Sequence, residues 1–182
     1  MKSIFGIIPA RGGSKRLPGK NLKLLNGVSL LERTIRQAKK ALPVSVVTTD
    51  SDAIIKETLR CGLVALLRPD RLATDEATSA DVVDHVLLTY PGFEWFCLLQ
   101  PTSPLRSVDD ILECMEIAQD TGQAVVSVHN GKPNGAIYIH RVMYFKGDFL
   151  NNAILYEMPE ERSIDIDTQE DFDKAETLCG SL

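Results

Sequence analysis

The sequence predicts an α/β fold built on a mainly parallel sheet flanked by helices, and three observations carry this. Short apolar bursts alternate with amphipathic helical patterns along most of the chain, the rhythm of strand and crossover helix. The bursts are apolar at consecutive positions rather than at every second one, as expected of strands covered on both faces. Each conspicuous polar cluster then follows a burst: ARGGSK after the first, TDSD after the second, RPDRLATD after the third and QPTSPLR after the fourth. Ligands of parallel sheets bind outside the carboxyl ends of the strands, so all four clusters are expected on one rim.

Ile4 to Ile8 is a β-branched first strand, followed by a glycine-rich loop. In SLLERTIRQAKKAL, Ser29 and Glu32 have capping-box spacing, and Leu31, Ile35, Ala38 and Leu42 form one apolar helix face. VSVVTT (44–49) is the second strand, residues 51–61 form a helix stopped at Gly62, and LVALL (63–67) is the third strand. Val83, Val86, Leu87 and Tyr90 mark another helix. FCLLQ (96–100) is a strand that Pro101 and Pro104 prevent from continuing. Ser107 and Asp110 open a helix carrying Ile111, Met115 and Ala118, and AVVSV (124–128) is a fifth strand. Beyond it the rhythm breaks. HNGKPNG is a turn cluster, AIYIH a strand, residues 141–160 irregular and SIDID short and extended. TQEDFDKAETLC is a last helix with Phe172, Ala175 and Cys179 on one face.

A chain of 182 residues suits one domain, here residues 1–182, and can bury a sizeable core without a staple. The net charge of −5 points to neither nucleic acid nor an anionic membrane as partner. Cys61, Cys97, Cys114 and Cys179 form no CxxC pair, which suggests free thiols in a reducing compartment. The first apolar run is far shorter than a signal h-region, and no stretch approaches the ~20 apolar residues of a membrane span. A cytoplasmic protein is expected.

Against this acidic background, IIPARGGSKRLPGKN (7–21) gathers Arg11, Lys15, Arg16 and Lys20 on one loop. Gly12 and Gly13 lack a Cβ, so the backbone can turn tightly and bring N–H groups to a ligand. Successive N–H groups form an anion-binding concavity, and the cations add mobile positive charge. A triphosphate is a ligand that needs both; a solvated basic turn needs neither. The loop is not a P-loop, because five residues separate Gly13 from Gly19 and Asn21 stands where Ser or Thr would hold magnesium. GxGxxG is absent too. Near the other end, Asp165 and Asp167 flank Ile166. On an extended chain that spacing puts both carboxylates on one face, where they repel unless a cation lies between them. Magnesium favours one or two carboxylates plus phosphate oxygens. Asp167 alone also fits a helix N-cap; capping does not account for Asp165.

IPARGGSKRLPGKN closely resembles the N-terminal signature of the acylneuraminate cytidylyltransferases and of relatives that activate other nonulosonic acids. The resemblance continues through TTDSD, RPDRLATDEATSADVV, LLQPTSPLR, NGAIYI and IDIDTQEDF, in order and over most of the chain. It implies a Rossmann-like fold of the nucleotide-diphospho-sugar transferase type. It also implies transfer of CMP from CTP to a 2-keto sugar acid with release of pyrophosphate and with Mg2+ as cofactor, in the supply of cell-surface polysaccharide. By the family pattern Ala10, Arg11, Gly12, Gly13, Lys15, Lys20 and Asn21 belong to the nucleotide site. Arg11 and Lys15 there face the triphosphate, and Asp165 and Asp167 hold the metal. Arg68 and Ser79 match positions near the cytosine and ribose; a surface charge and a plain helix N-cap are their alternatives. Gln100 and Thr102 look like sugar contacts, Arg106 a partner for the sugar carboxylate, and Asn134 a further substrate contact or else a turn residue. The family is a homodimer joined through an arm of ~40 residues between AVVSV and NGAIYI, far longer than an ordinary loop. Here only HNGKP separates those blocks, which leaves the dimer open. Two other functions fit: a nucleotide-binding module without turnover, and a nucleotidyltransferase for another sugar acid such as Kdo.

Overall fold

The computed structural model describes residues 3–180. Its strands are β1 (Ile4–Pro9), β2 (Leu24–Leu25), β3 (Val28–Ser29), β4 (Ser45–Thr49), β5 (Val64–Leu67), β6 (Trp95–Leu98), β7 (Ala124–His129), β8 (Lys132–Arg141) and β9 (Ala153–Glu157). Its helices are α1 (Leu30–Ala41), α2 (Asp52–Arg60), α3 (Ser79–Thr89), α4 (Val108–Thr121) and α5 (Gln169–Cys179), with short 3-10 turns between some of them. Seven strands form one sheet in the order β5-β4-β1-β6-β8-β7-β9, and β2 and β3 form a separate small hairpin. β5, β4, β1 and β6 are mutually parallel, β8 alone runs against them, and β7 and β9 are parallel to each other. The predicted fold class is the observed one.

Alternate residues of β1 face opposite sides, as strand geometry requires. Ile4 and Ile8 pack with Leu31, Ile35, Ile54, Ile111 and Cys114, from α1, α2 and α4. Phe5 and Ile7 pack on the other side with Val83, Val86, Phe96 and Phe145. Each such side chain contributes roughly 1.5–3 kcal/mol by leaving water. Ser29 caps α1 by accepting from the Glu32 N–H, but the Glu32 carboxylate turns to Arg36 and Arg60 and leaves the box half formed, whereas Ser107 with Asp110 forms a reciprocal capping box on α4.

A third, smaller apolar cluster sits apart. It joins Leu17 of the glycine loop, Leu105 of the proline loop and Ile166 between the two aspartates to Phe172 and Ala175 of α5. Three polar segments far apart in sequence thus share one buried anchor.

Two expectations need correction. Residues 141–160 are not wholly irregular: Ala153–Glu157 adds β9 to the sheet, beside β7. The HNGKPNG cluster is not one loop either. Asn130 and Gly131, both at positive φ, close a two-residue hairpin whose ladder starts at His129 and Lys132, and Asn134 already lies within β8. No arm intervenes between β7 and β8. Among the described residues, no helix is long and apolar enough to cross a membrane.

Candidate active site

The first four parallel strands run β5-β4-β1-β6 across the sheet, so the chain first builds leftward from β1 and then jumps to its right-hand neighbour, β6. Such a reversal leaves a crevice at the carboxyl ends of the two central strands. A cavity of about 500 Å³ lies there. It is lined by Arg11, Lys15, Arg16, Lys20 and Asn21 after β1, by Arg68, Thr74, Asp75 and residues 77–79 after β5, by Gln100 and Thr102 after β6, and by Asp165 and Asp167.

The loop after β1 is pinned from inside. Asn21 is buried and donates from Nδ2 to the Arg11 carbonyl at 2.9 Å. The Gly12 N–H donates to Asp50 Oδ1 at 2.8 Å, so it is not free to meet a ligand. Glycine is needed at position 12 because a Cβ would lie 2.8 Å from that of Ser51. Ala10 is likewise part of the frame: it is fully buried, and its N–H extends the β1–β4 ladder to the Thr48 carbonyl. Gly13 has open space around it and borders a smaller hollow beside Arg11, Ser14 and Lys15.

All four loop cations meet carboxylates. Asp75 places Oδ1 2.7 Å from Arg11 Nη1 and Oδ2 2.5 Å from Lys15 Nζ. These two bonds hold the Asp75 carboxyl below the usual range. Asp167 likewise bridges two cations, Arg16 at 2.8 Å and Lys20 at 2.9 Å. Lys20 donates further to the Ile166 carbonyl at 2.7 Å, tying together segments 147 residues apart.

Asp165 and Asp167 both line the cavity while Ile166 is fully buried between them, as the extended spacing requires. The Ile166 N–H donates to the Thr102 carbonyl at 2.7 Å, which fastens this segment to the proline loop. Asp165 keeps one face open to the cavity, yet the surrounding walls strip part of its hydration. That loss, reinforced by the Asp167 charge, raises its carboxyl above the ordinary range, against a hydrogen bond from Thr102 and the charge of Lys20. The cap of α5 is Thr168, in a capping box with Asp171, so the Asp167 carboxylate has no capping duty. Two oxygen donors side by side, one of them reluctant to stay charged, suit a hard divalent cation.

Arg68 is buried rather than a surface charge, with Nη2 on the Thr48 carbonyl at 2.7 Å. Ser79, the first residue of α3, lines the cavity and is free of the capping task, which falls to Thr78.

Two expected sugar contacts are turned elsewhere. Arg106 is 1% exposed. It donates to the carbonyls of Gln100 (2.8 Å) and Ala136 (3.0 Å) and to the Thr34 hydroxyl (2.9 Å). Burial lowers its guanidinium to about 10. Asn134 is also buried, accepting from the Ser127 hydroxyl at 2.6 Å and donating to the Ser163 hydroxyl at 3.1 Å. Both hold the frame beneath Gln100. Gly135, at φ +75°, lets that frame close: a Cβ there would be 2.9 Å from Gln100 Oε1 and 3.3 Å from Asp165 Oδ2. The reading from sequence missed Asp50 and Asp75. Both lie inside the motif blocks TTDSD and RPDRLATDEATS, but as acids in an anion site they carried no signal for that chemistry.

Residues 5–180 match the model of the cytidylyltransferase family. The chain is 34% identical over 216 residues to the N-acylneuraminate cytidylyltransferase of Escherichia coli O18:K1:H7, a match covering 96% of this chain and 52% of that one. It is 42% identical over 132 residues to the CMP-N,N'-diacetyllegionaminic acid synthase of Legionella pneumophila, covering 69% of this chain and 57% of the relative. The chain therefore spans about half the length of these curated relatives. The 216-residue match is longer than the 182 residues here, so the Escherichia coli relative has residues within it that this chain lacks. Among solved structures, a CMP:2-keto-3-deoxy-manno-octonic acid synthetase complexed with CTP shares the fold at a TM-score of 0.75 and 16% identity, covering 99% of each chain.

Proposed function

Because the chain belongs to the cytidylyltransferase family, we propose that it transfers CMP from CTP to the anomeric hydroxyl of a 2-keto sugar acid, sialic acid or a related nonulosonic acid, and releases pyrophosphate. The observation that carries this reading is a single crevice in which the glycine loop's cations meet the Asp165/Asp167 pair, with Lys20 Nζ 2.9 Å from Asp167 Oδ1.

The reaction has to bring an anionic acceptor to an anionic donor and then release a charged leaving group. Arg11, Lys15 and Lys20 offset the triphosphate charge, and Gly13 lets the backbone approach. Asn21 keeps the loop in shape. Arg68 and Ser79 flank the nucleoside, and Gln100 and Thr102 face the acceptor. Asp165 and Asp167 would hold Mg2+, which would neutralise phosphate oxygens and order them for displacement. Thr102 orients Asp165 for this, and Lys20 orients Asp167.

We place the enzyme in the cytoplasm, consistent with buried free thiols at Cys97 and Cys114, and as one domain without the arm. A homodimer, if formed, would have to use another surface. The test is pyrophosphate release from CTP and Mg2+ with a panel of 2-keto sugar acids, Kdo included. A CMP-sugar product with a sialic-type acid is expected. CTP binding without product across the panel would leave a binding module in its place.

A further inference from the structure

Asp75 is the one cavity-lining carboxylate for which the proposed reaction has no use. It belongs to none of the metal-holding residues, and a carboxylate beside a triphosphate repels it. Yet it occupies the two cations that such a ligand needs most. One of its oxygens sits on Arg11 at 2.7 Å and the other on Lys15 at 2.5 Å, while Arg11 also donates to the neighbouring Thr74 carbonyl. Two oxygens of one planar anion, each on a different cation, reproduce the way two non-bridging oxygens of a phosphate group would meet them. The contrast with Asp167 is informative. That residue neutralises Arg16 and Lys20 in the same manner, but it keeps a role beside the ligand as a candidate metal ligand.

The segment carrying Asp75 is fixed at both ends, and between them its link to the glycine loop runs through Arg11 and Lys15. On the near side the Leu72 carbonyl accepts from Arg68, and on the far side the Thr78–Asp81 capping box starts α3. Asp75 is part-exposed at the cavity mouth, and Lys15 is 83% exposed. Exposed ion pairs of this kind are weak, roughly 0–1 kcal/mol each, so a polyanion can replace them.

We infer that Asp75 is an internal stand-in for a phosphate group. It holds Arg11 and Lys15 in position while the site is empty, competes with polyphosphate for both, and swings aside when one binds. This rests on the reading that the glycine loop takes a triphosphate. The stand-in weakens the binding of incoming triphosphate and outgoing pyrophosphate alike, and so eases product release.

The test uses calorimetry on the full chain with inorganic tripolyphosphate, pyrophosphate and cytidine as probes. Asp75→Asn should tighten both polyphosphates by about three- to ten-fold, the equivalent of one or two weak ion pairs, and leave cytidine unchanged. Glu76→Gln removes the same charge one residue along without touching the cations, and should change polyphosphate binding less than about two-fold. Asp75→Glu retains the anion and should bind tripolyphosphate as the parent does. Unchanged or weaker tripolyphosphate binding by Asp75→Asn overturns the inference, and so does an equal gain from Glu76→Gln. The underlying reading fails separately. If CTP binds no better than ATP, cytidylyl transfer is in doubt while the tripolyphosphate gain still stands.

Discussion

The loops after β1 and β6 leave adjacent parallel strands at the same rim, and each carries basic residues, yet they use charge in opposite ways. After β1, Lys15 and Arg16 are 83% and 68% exposed and meet carboxylates across open space. After β6, Arg106 is 1% exposed and meets two carbonyls and a hydroxyl. The difference lies in the backbone. Glycines let the first loop run over the cavity with Lys15 and Arg16 outward, while Leu17 and Asn21 anchor it from inside. In the second, Pro101 and Pro104 turn the chain back onto the protein and bring carbonyls inward with no N–H of their own to meet them. Inward carbonyls must find donors, and Arg106 supplies them together with Gln37, which donates to the Pro104 and Arg106 carbonyls at 3.1 and 2.6 Å. A basic residue in a rim motif can thus serve the backbone with its whole side chain, as Arg106 does, or keep its head at the cavity, as Lys15 does.

The largest effect should come from breaking the inward side. Arg106→Met takes a donor from the Ala136 carbonyl, from the Gln100 carbonyl, which keeps the Ser103 N–H, and from the Thr34 hydroxyl, which keeps the Leu30 carbonyl. Urea unfolding should show a loss of about 2–4 kcal/mol, from the usual 1–3 kcal/mol per weakened buried group. Lys15→Met, on the outward side, should keep stability within about 0.5 kcal/mol and raise the KM for CTP about ten-fold, with a weaker salt dependence. Should the two variants trade places, with Lys15 governing stability and Arg106 only KM, the contrast between the loops is wrong.

The smallest effect concerns Asp165. Its carboxyl is held above the ordinary range, first by lost hydration and then by Asp167. The charged form therefore burdens the folded state at neutral pH. That burden fades as pH falls through the folded pKa and is gone below the unfolded one. A divalent cation removes it at neutral pH and competes with a proton at low pH. Millimolar Mg2+ should accordingly raise the melting temperature more at about pH 7 than at about pH 5, and Asp165→Asn should erase that difference.

How far the sequence could be read follows the same division. The parallel strands were legible because their apolar residues run together, buried in β1, β4 and β6 and half-exposed at the edge in β5. β9 was not: AILY is as apolar as the other strands, but it stands between the Asn151–Asn152 and Met158–Pro159 turns with no helical pattern beside it to mark a strand–helix repeat. The rim was legible because the motif clusters follow strands, and Asp165 and Asp167 because period-two spacing has one geometric meaning on an extended chain. Arg106 and Asn134 were misjudged because a polar residue in a motif looks the same whether it meets a substrate or a buried carbonyl. Two of the three Asn-Gly pairs show this limit. Asn130–Gly131 makes the hairpin turn, whereas Asn134–Gly135 lies within β8, where Gly135 lets the strand approach Gln100 and Asp165.

The central claim is that one crevice grips a triphosphate between the cationic loop and a metal held by Asp165 and Asp167. Calorimetric titration of CTP, with and without Mg2+, into the parent and into a double Asp165→Asn, Asp167→Asn variant tests it most directly. The account predicts that Mg2+ tightens CTP at least about ten-fold in the parent and less than about two-fold in the variant, which should still bind metal-free CTP through Arg11, Lys15 and Lys20. An equal Mg2+ effect in both proteins would contradict it.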